Sequence, residues 1–230
     1  MQLFFSEIND NKVIFSADEK KHLTKVLRKQ EGDIISVIDG KGYLYSTKIN
    51  SLDKNSSLIE IIKKEKKKKR HNYHLHIGIA PTKNISRFEW FLEKATEIGI
   101  DEITPIICNR SERKKINIQR CNRILISSIK QSLKFYKPKL NVPSNFSDFI
   151  NEKLEGDKLI AHCLKTEKNK INKSNQKKYI ILIGPEGDFT ENEITNALKN
   201  GFKATTLGNS RLRTETAGII AAHSVNLQFQ

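Results

Sequence analysis

Cysteine is scarce in this chain. Three occur in 230 residues, Cys108, Cys121 and Cys163. The number is odd and no C-x-x-C spacing is present, so neither a disulfide framework nor a zinc ribbon is expected. That fits a reducing compartment. No apolar run approaches the roughly 18 residues a membrane-spanning helix needs. The opening MQLFFSEIND has no basic region followed by a long apolar stretch, so no signal peptide is expected. The expectation is a soluble, cytoplasmic protein. Two nucleotide signatures are also missing. There is no G-x-x-x-x-G-K-[ST] for a nucleoside triphosphate, and no G-x-G-x-x-G opening an α/β unit. HNYHLH at 71–76 carries three histidines, but no second ligand cluster accompanies it, so no metal is expected. A strand entry with half-exposed histidines is the better reading. No internal repeat is visible.

What is abundant is positive charge. Lys and Arg number 41 against 26 Asp and Glu, a net charge of +15. Such an excess attracts polyanions, and nucleic acid is the first candidate. Lys, Asn and Ile together are also what an A/T-rich genome produces, so drift remains the alternative. Hydrophobic residues at 37% suffice for a core, and the length suits one large domain or two modest ones.

Residues 1 to about 62 read as β-rich. VIFSA, DIISVIDG, YLYSTKI and SLIEII are short β-branched and aromatic runs. DGKG at 39–42 signals a tight turn. SADEKKHLTKVLRKQEG is helical in pattern, with Ser16 and Glu19 spaced as a capping box and Gly32 placed as the stop. A small barrel or curled sheet with one helix is predicted. KKEKKKKRH at 63–71 marks the domain boundary, a solvated strand end or linker that could also grip phosphates. The expected division is 1–70 and 71–230.

From His74 the pattern alternates. HLHIGIA, EITPIIC, KLIAHCL (158–164), YIILI (179–183) and KATTLG are strand runs. Phe88, Leu92, Ala95 and Ile98 share one helical face, with Ser86 and Glu89 spaced as a cap and Gly99 as the stop. Ile118, Leu125, Ile129 and Leu133 form another helical series. Thr190 and Glu193 make a third capping box, and Gly201 ends that helix. YIILI has no polar face, so both its sides should be covered. The alternation predicts an α/β fold, a parallel sheet with helices on both faces.

Two loops leave such strands at their carboxyl ends, where open α/β sheets bind ligands. In GPEGDFT (184–190), Pro185 removes a donor while Gly184 and Gly187 let backbone approach a flat heterocycle. An ordinary strand-to-helix turn explains GPEG alone equally well. In LGNSRLRT (207–214), Gly208 allows close approach. Arg211 and Arg213 present forked donors suited to phosphate or a developing oxyanion. Glu215 suits the start of a helix, where capping is the simpler role. The helix that follows, TAGIIAA, is small and apolar without a polar stripe. His162 and His223 stand alone and are read as packed. Gln131 and Ser132 mean little by themselves.

Together, ILIGPEGDFTENEI and LGNSRLRTETAGIIAA resemble the RsmE-type 16S ribosomal RNA uridine-N3 methyltransferases of the SPOUT superfamily. PTK at 81–83 and KATEIGIDEITPI at 94–106 match that family in the same order. HLTKVLR…IDGKG at 22–42 resembles its PUA-like RNA-binding domain. The resemblance implies a parallel sheet ending in a deep trefoil knot, preceded by a small PUA-like β-barrel. It implies a homodimer acting on 16S ribosomal RNA or the small ribosomal subunit. It implies S-adenosylmethionine as cofactor, held by His162, Cys163, Leu164, Ile183, Gly184, Pro185, Glu186, Gly187, Leu207, Gly208, Asn209, Leu212, Arg213, Thr214, Thr216 and Ala217. Arg213 and then Arg211 are expected to stabilise charge on the target base, with Glu215 as general base or sulfonium neighbour. His22, Arg28 and Lys83 are expected to touch RNA. Two departures stand out. Asp188 replaces the last glycine of G-P-E-G-G, and Lys130-Gln131-Ser132-Leu133-Lys134 stands where the family reads E-Q-[SC]-G-R. A knotted methyltransferase of another ribosomal or transfer RNA base, or a non-catalytic RNA-binding scaffold, are the alternatives.

Overall fold

The computed structural model describes residues 1–9, 12–52 and 57–230. They form two compact units, Met1–Arg70 with Ile126–Lys137, and His71–Leu125 with Pro138–Gln230.

In the first unit the strands are β1 (Leu3–Phe5), β2 (Glu7–Asn9), β3 (Lys12–Ile14), β4 (Ile34–Ile38), β5 (Tyr43–Leu52) and β6 (Ser57–Lys66), with α1 (Ala17–Lys21) after β3. Among the described residues the pairing does not close into a barrel. It runs β1-β4-β5-β6, with β2 and β3 as a separate hairpin. In β4, Ile35 and Val37 turn into a core with Phe4, Val13, Leu23 and Ile49, while Ile34 faces outward. The DGKG turn is locked by its own aspartate: Asp39 Oδ1 accepts from the amides of Lys41 (2.7 Å) and Tyr43 (3.1 Å).

The helix expected up to Gly32 is shorter. Ser16 Oγ caps α1 by accepting the Glu19 amide at 3.2 Å. The box stays half-formed, because the Glu19 carboxylate pairs with Lys130 instead. After α1 a π-helical turn covers His22–Val26, with Leu27 N–H reaching His22 O at 3.0 Å. Arg28 then takes a positive φ of 50°, and Gly32 at 91° forms a separate turn before β4.

The second unit is built on β7 (His74–Ile79), β8 (Glu102–Ile107), β9 (Lys139–Leu140), β10 (Ser144–Asn145), β11 (Asp157–Ala161), β12 (Asn169–Lys170), β13 (Lys178–Ile183) and β14 (Lys203–Thr206). Their order is β10-β8-β7-β13-β11-β14-β12, with β9 also on β8, and every pairing is parallel. Its helices are α2 (Ile85–Ile98), α4 (Phe146–Asn151), α5 (Glu191–Lys199) and α6 (Thr214–Leu227), with the part of α3 (Ile118–Gln131) up to Leu125, the rest of α3 belonging to the first unit. Alternate residues of β13 serve two cores. Tyr179, Ile181 and Ile183 meet α2 and α6, while Ile180 and Leu182 meet α4 and α5. This is the sheet covered on both faces that YIILI predicted.

The Thr190–Glu193 capping box forms in full and Gly99 caps α2 at φ 136°. Gly201 follows α5 at φ 84°. Ser86 is not a cap. Asn84 starts α2, its Oδ1 accepting the Ser86 amide at 3.1 Å, and Glu89 is bound by Arg120. Strand β11 ends at Ala161, so His162–Leu164 is loop. His76 is buried rather than half-exposed, because its strand face meets Thr104 and Phe149. His223 is exposed, not packed, since it lies off the α6 face that meets α2. All three cysteines are free thiols.

Candidate active site

Strands β11, β13 and β14 lie side by side in the sheet. Their parallel direction puts three loops at one edge, after Ala161, Ile183 and Thr206. A cavity of about 640 Å³ opens between them. Its glycine-bearing walls present backbone rather than side chains. Gly208, at φ 128°, faces open space where any Cβ would point. Thr214 Oγ1 donates to Gly184 O at 3.0 Å and ties the start of α6 to the end of β13. Glu186 turns outward to accept the Lys83 amide at 2.9 Å.

His162 lines this cavity and is only 8% exposed, yet neither ring nitrogen has a protein partner. Burial, then the nearby Lys168 charge, pushes its imidazole below the ordinary range, although Asp188 opposes this. A neutral ring keeps one donor and one acceptor free for a ligand. Asp188 holds a positive φ of 62°. Its Oδ2 accepts the Cys163 amide at 2.8 Å and its Oδ1 the Phe189 amide at 2.8 Å. The carboxylate thus stitches two loops, which offsets the strain a glycine would avoid. Burial, then Asp188, raises the Cys163 thiol.

Of the residues named from the sequence, His162, Cys163, Ile183, Gly184, Pro185, Glu186, Leu207, Gly208, Asn209, Arg211, Leu212, Arg213, Thr214 and Ala217 line this cavity. Leu164 lies outside it, packed on the core. Gly187 also lies outside, its carbonyl accepting from Arg110 Nη1 at 2.8 Å. Thr216 and Glu215 face a second cavity, of about 660 Å³, with Ser86, Arg87, Trp90 and Arg211–Arg213. Glu215 is 5% exposed and its Oε2 has no partner, while Oε1 stands 3.8 Å from Arg87 Nε. Arg87, Trp90 and Lys168 escaped sequence reasoning. An exposed tryptophan beside an arginine was the available signal for the first two.

His22 is half-buried against Phe4, Arg28 is exposed, and Lys83 is exposed with Nζ 2.8 Å from Glu112. In the segment that departs from the family, Leu133 sits at φ 52°, the conformation glycine adopts freely. Among the described residues no group of His, Cys, Asp or Glu could hold a metal, and no helix is long and apolar enough to cross a membrane.

A family model described as an RNA methyltransferase domain matches residues 69–226, and one described as an RNA methyltransferase PUA domain matches residues 15–62. A protein of Mesomycoplasma hyopneumoniae named ribosomal RNA small subunit methyltransferase E is 34% identical over 95% of each chain. The crystal structure of a probable rRNA-methyltransferase from Porphyromonas gingivalis superposes with TM-score 0.90 at 34% identity, covering 100% of this chain and 98% of that one. A ribosomal RNA small subunit methyltransferase E from Neisseria gonorrhoeae, solved with S-adenosyl methionine bound, has TM-score 0.83 at 25% identity over 100% and 98% of the two chains. This chain therefore belongs to the RNA methyltransferase family, within the group of ribosomal RNA small subunit methyltransferase E proteins, with an α/β domain of parallel strands behind an N-terminal PUA-like domain.

Proposed function

We propose that the protein transfers a methyl group from S-adenosylmethionine to N3 of a uridine in 16S ribosomal RNA. The observation that carries this is the cavity at the ends of β11, β13 and β14. Its backbone-rich walls and the unpartnered His162 nitrogens suit a nucleoside with many donors and acceptors. When bound, the cofactor supplies an electrophilic methyl group on a sulfonium. The residues His162–Cys163, Ile183–Glu186, Leu207–Thr214 and Ala217 would hold it.

Uridine N3 carries a weakly acidic proton that must leave before the nitrogen can attack. The resulting negative charge spreads onto O2 and O4. A fixed guanidinium lowers the barrier to that anion, and Arg213, then Arg211, provides it; that both line the second cavity supports this. Glu215 serves as general base or as neighbour of the sulfonium. The base must be unpaired or flipped out to expose this edge. His22 and Arg28 of the first unit and Lys83 of the second hold the RNA.

The residues after β14 form the closing pass of a trefoil knot. In support, α6 packs on α2, β7 and β13, so the chain must return over the ends of β11 and β13 to reach them. The enzyme works as a homodimer, which the half-exposed Leu227 of α6 supports. Small-subunit assembly places it in the cytoplasm.

Labelled S-adenosylmethionine and unmodified small subunits, followed by mapping of the modified nucleotide, test the reading. Transfer to N3 of one 16S uridine is expected. Transfer to another ribosomal or transfer RNA base, or none, would replace it with the alternatives. Arg213→Ala should lower turnover by about 100-fold or more while calorimetry still detects cofactor binding. Near-normal turnover would remove Arg213 from the chemistry.

A further inference from the structure

The two cavities share one wall, Arg211, Leu212 and Arg213. The second cavity therefore adjoins the one that would hold the methyl donor. The second holds an ordered set of groups. Arg213 and Arg87 are donors only, and Glu215, when ionised, is an acceptor only. Glu215 is 95% buried by difference from its 5% exposure, and its Oε2 has no partner in the protein. Arg87 Nε at 3.8 Å from Oε1 lies beyond hydrogen-bond reach. Trp90 is 45% exposed at the rim and offers a flat apolar face.

We propose that this second cavity is the subsite for the Watson–Crick edge of an unpaired uracil, a proposal that rests on the methyltransferase reading. That edge runs acceptor, donor, acceptor: O2, N3–H, O4. Arg213 and Arg87 donate to the two oxygens, Glu215 accepts the N3 proton, and Trp90 stacks on the ring. Cytosine presents an acceptor at N3 and a donor at its amino group, so it opposes the carboxylate and one arginine. In the reaction the N3–H bond breaks and its proton passes to Glu215 Oε2. The freed N3 pair forms the bond to the methyl carbon, and the pair of the broken C–S bond stays on sulfur. Glu215 then returns its proton to solvent.

Trp90 is the chain's one tryptophan, so its emission reports this site alone. The cofactor-free protein is titrated with a single-stranded RNA bearing one uridine, and with the same RNA bearing cytidine there. Saturable quenching by the uridine RNA is expected, with about tenfold weaker affinity for the cytidine RNA. Binding by anisotropy with unchanged emission, or equal response to both RNAs, would overturn the proposal. In the complete reaction, Trp90→Ala should raise KM for RNA about tenfold, as loss of a stacking partner does. Glu215→Gln keeps an acceptor but cannot hold the proton as readily. It should quench like the wild type, which also shows that it is folded, and turn over about 100-fold more slowly. Unchanged KM in the first or unchanged turnover in the second would overturn the assignment. Methylation at uridine N3 without quenching would sink this subsite and leave the enzyme reading standing. Quenching without methylation of any uridine would overturn the enzyme reading and, with it, the methyl-acceptor role of this subsite, leaving only a uracil-binding pocket.

Discussion

His76 shows how much one residue depends on its neighbours. Its ring is buried, and Asn141 Nδ2 donates to Thr104 Oγ1 at 2.7 Å. The same hydroxyl shares a hydrogen bond with His76 Nε2, also at 2.7 Å, its direction set by the ring's tautomer. Burial is the main cause that pushes the imidazole down to about 4, with Glu102 opposing and His74 and Lys139 assisting. The unfolded ring titrates near 6.5. Between those values the unfolded chain binds a proton that the native ring refuses. Stability is therefore fully present above about pH 6.5 and falls as pH drops toward 4. The loss from this residue is about 2 kcal/mol between pH 7 and pH 5. Urea unfolding at those two pH values should show the wild type losing that much more than His76→Gln. Parallel losses would refute the account. The sequence placed His74 and His76 on one strand face, but nothing in it said that Phe149 would cover the second alone.

At the scale of elements, α6 explains its own composition. Gly218, Ala221, Ala222 and Val225 recur at helical spacing and are buried. A methyl group on Gly218 would lie 2.6 Å from the Phe91 ring of α2 and 3.0 Å from Ile79. The two helices touch too closely for a side chain there. Gly218→Ala should lower stability by about 1–3 kcal/mol despite its better helix propensity, seen as a lower urea midpoint. A midpoint at or above wild type would show that the gap can open. Local signals were legible where their partners are local. The Thr190 box formed because both residues lie within one turn. The Ser16 box did not complete, because Lys130 draws its glutamate off from a distant helix, and the Ser86 box did not form because Asn84 caps that helix instead.

For the whole molecule, the net charge of +15 is the quantity with a consequence. In the first unit Lys64 and Lys66 both stand 4.3 Å from the Tyr43 ring centre, so cations and an aromatic face are presented together. Each RNA phosphate neutralised adds a slope of about −0.7 to log K against log salt. Affinity for small-subunit RNA should fall by about an order of magnitude or more between 50 and 200 mM salt. Binding indifferent to salt would assign the lysine excess to compositional drift.

The sequence by itself determined the α/β alternation, the strand covered on both faces and the pairing of GPEGDFT with LGNSRLRT, because periodicity and chain order are local properties. It could not determine which strands become neighbours, since parallel crossovers permit several orders. Only the tertiary structure set β11, β13 and β14 side by side and so gathered His162, Gly184 and Leu207 around one cavity. Only it brought Arg87 and Trp90 to Glu215, more than 120 residues away along the chain. Contacts across such separations are decided by packing and sheet register, which no stretch of sequence contains on its own.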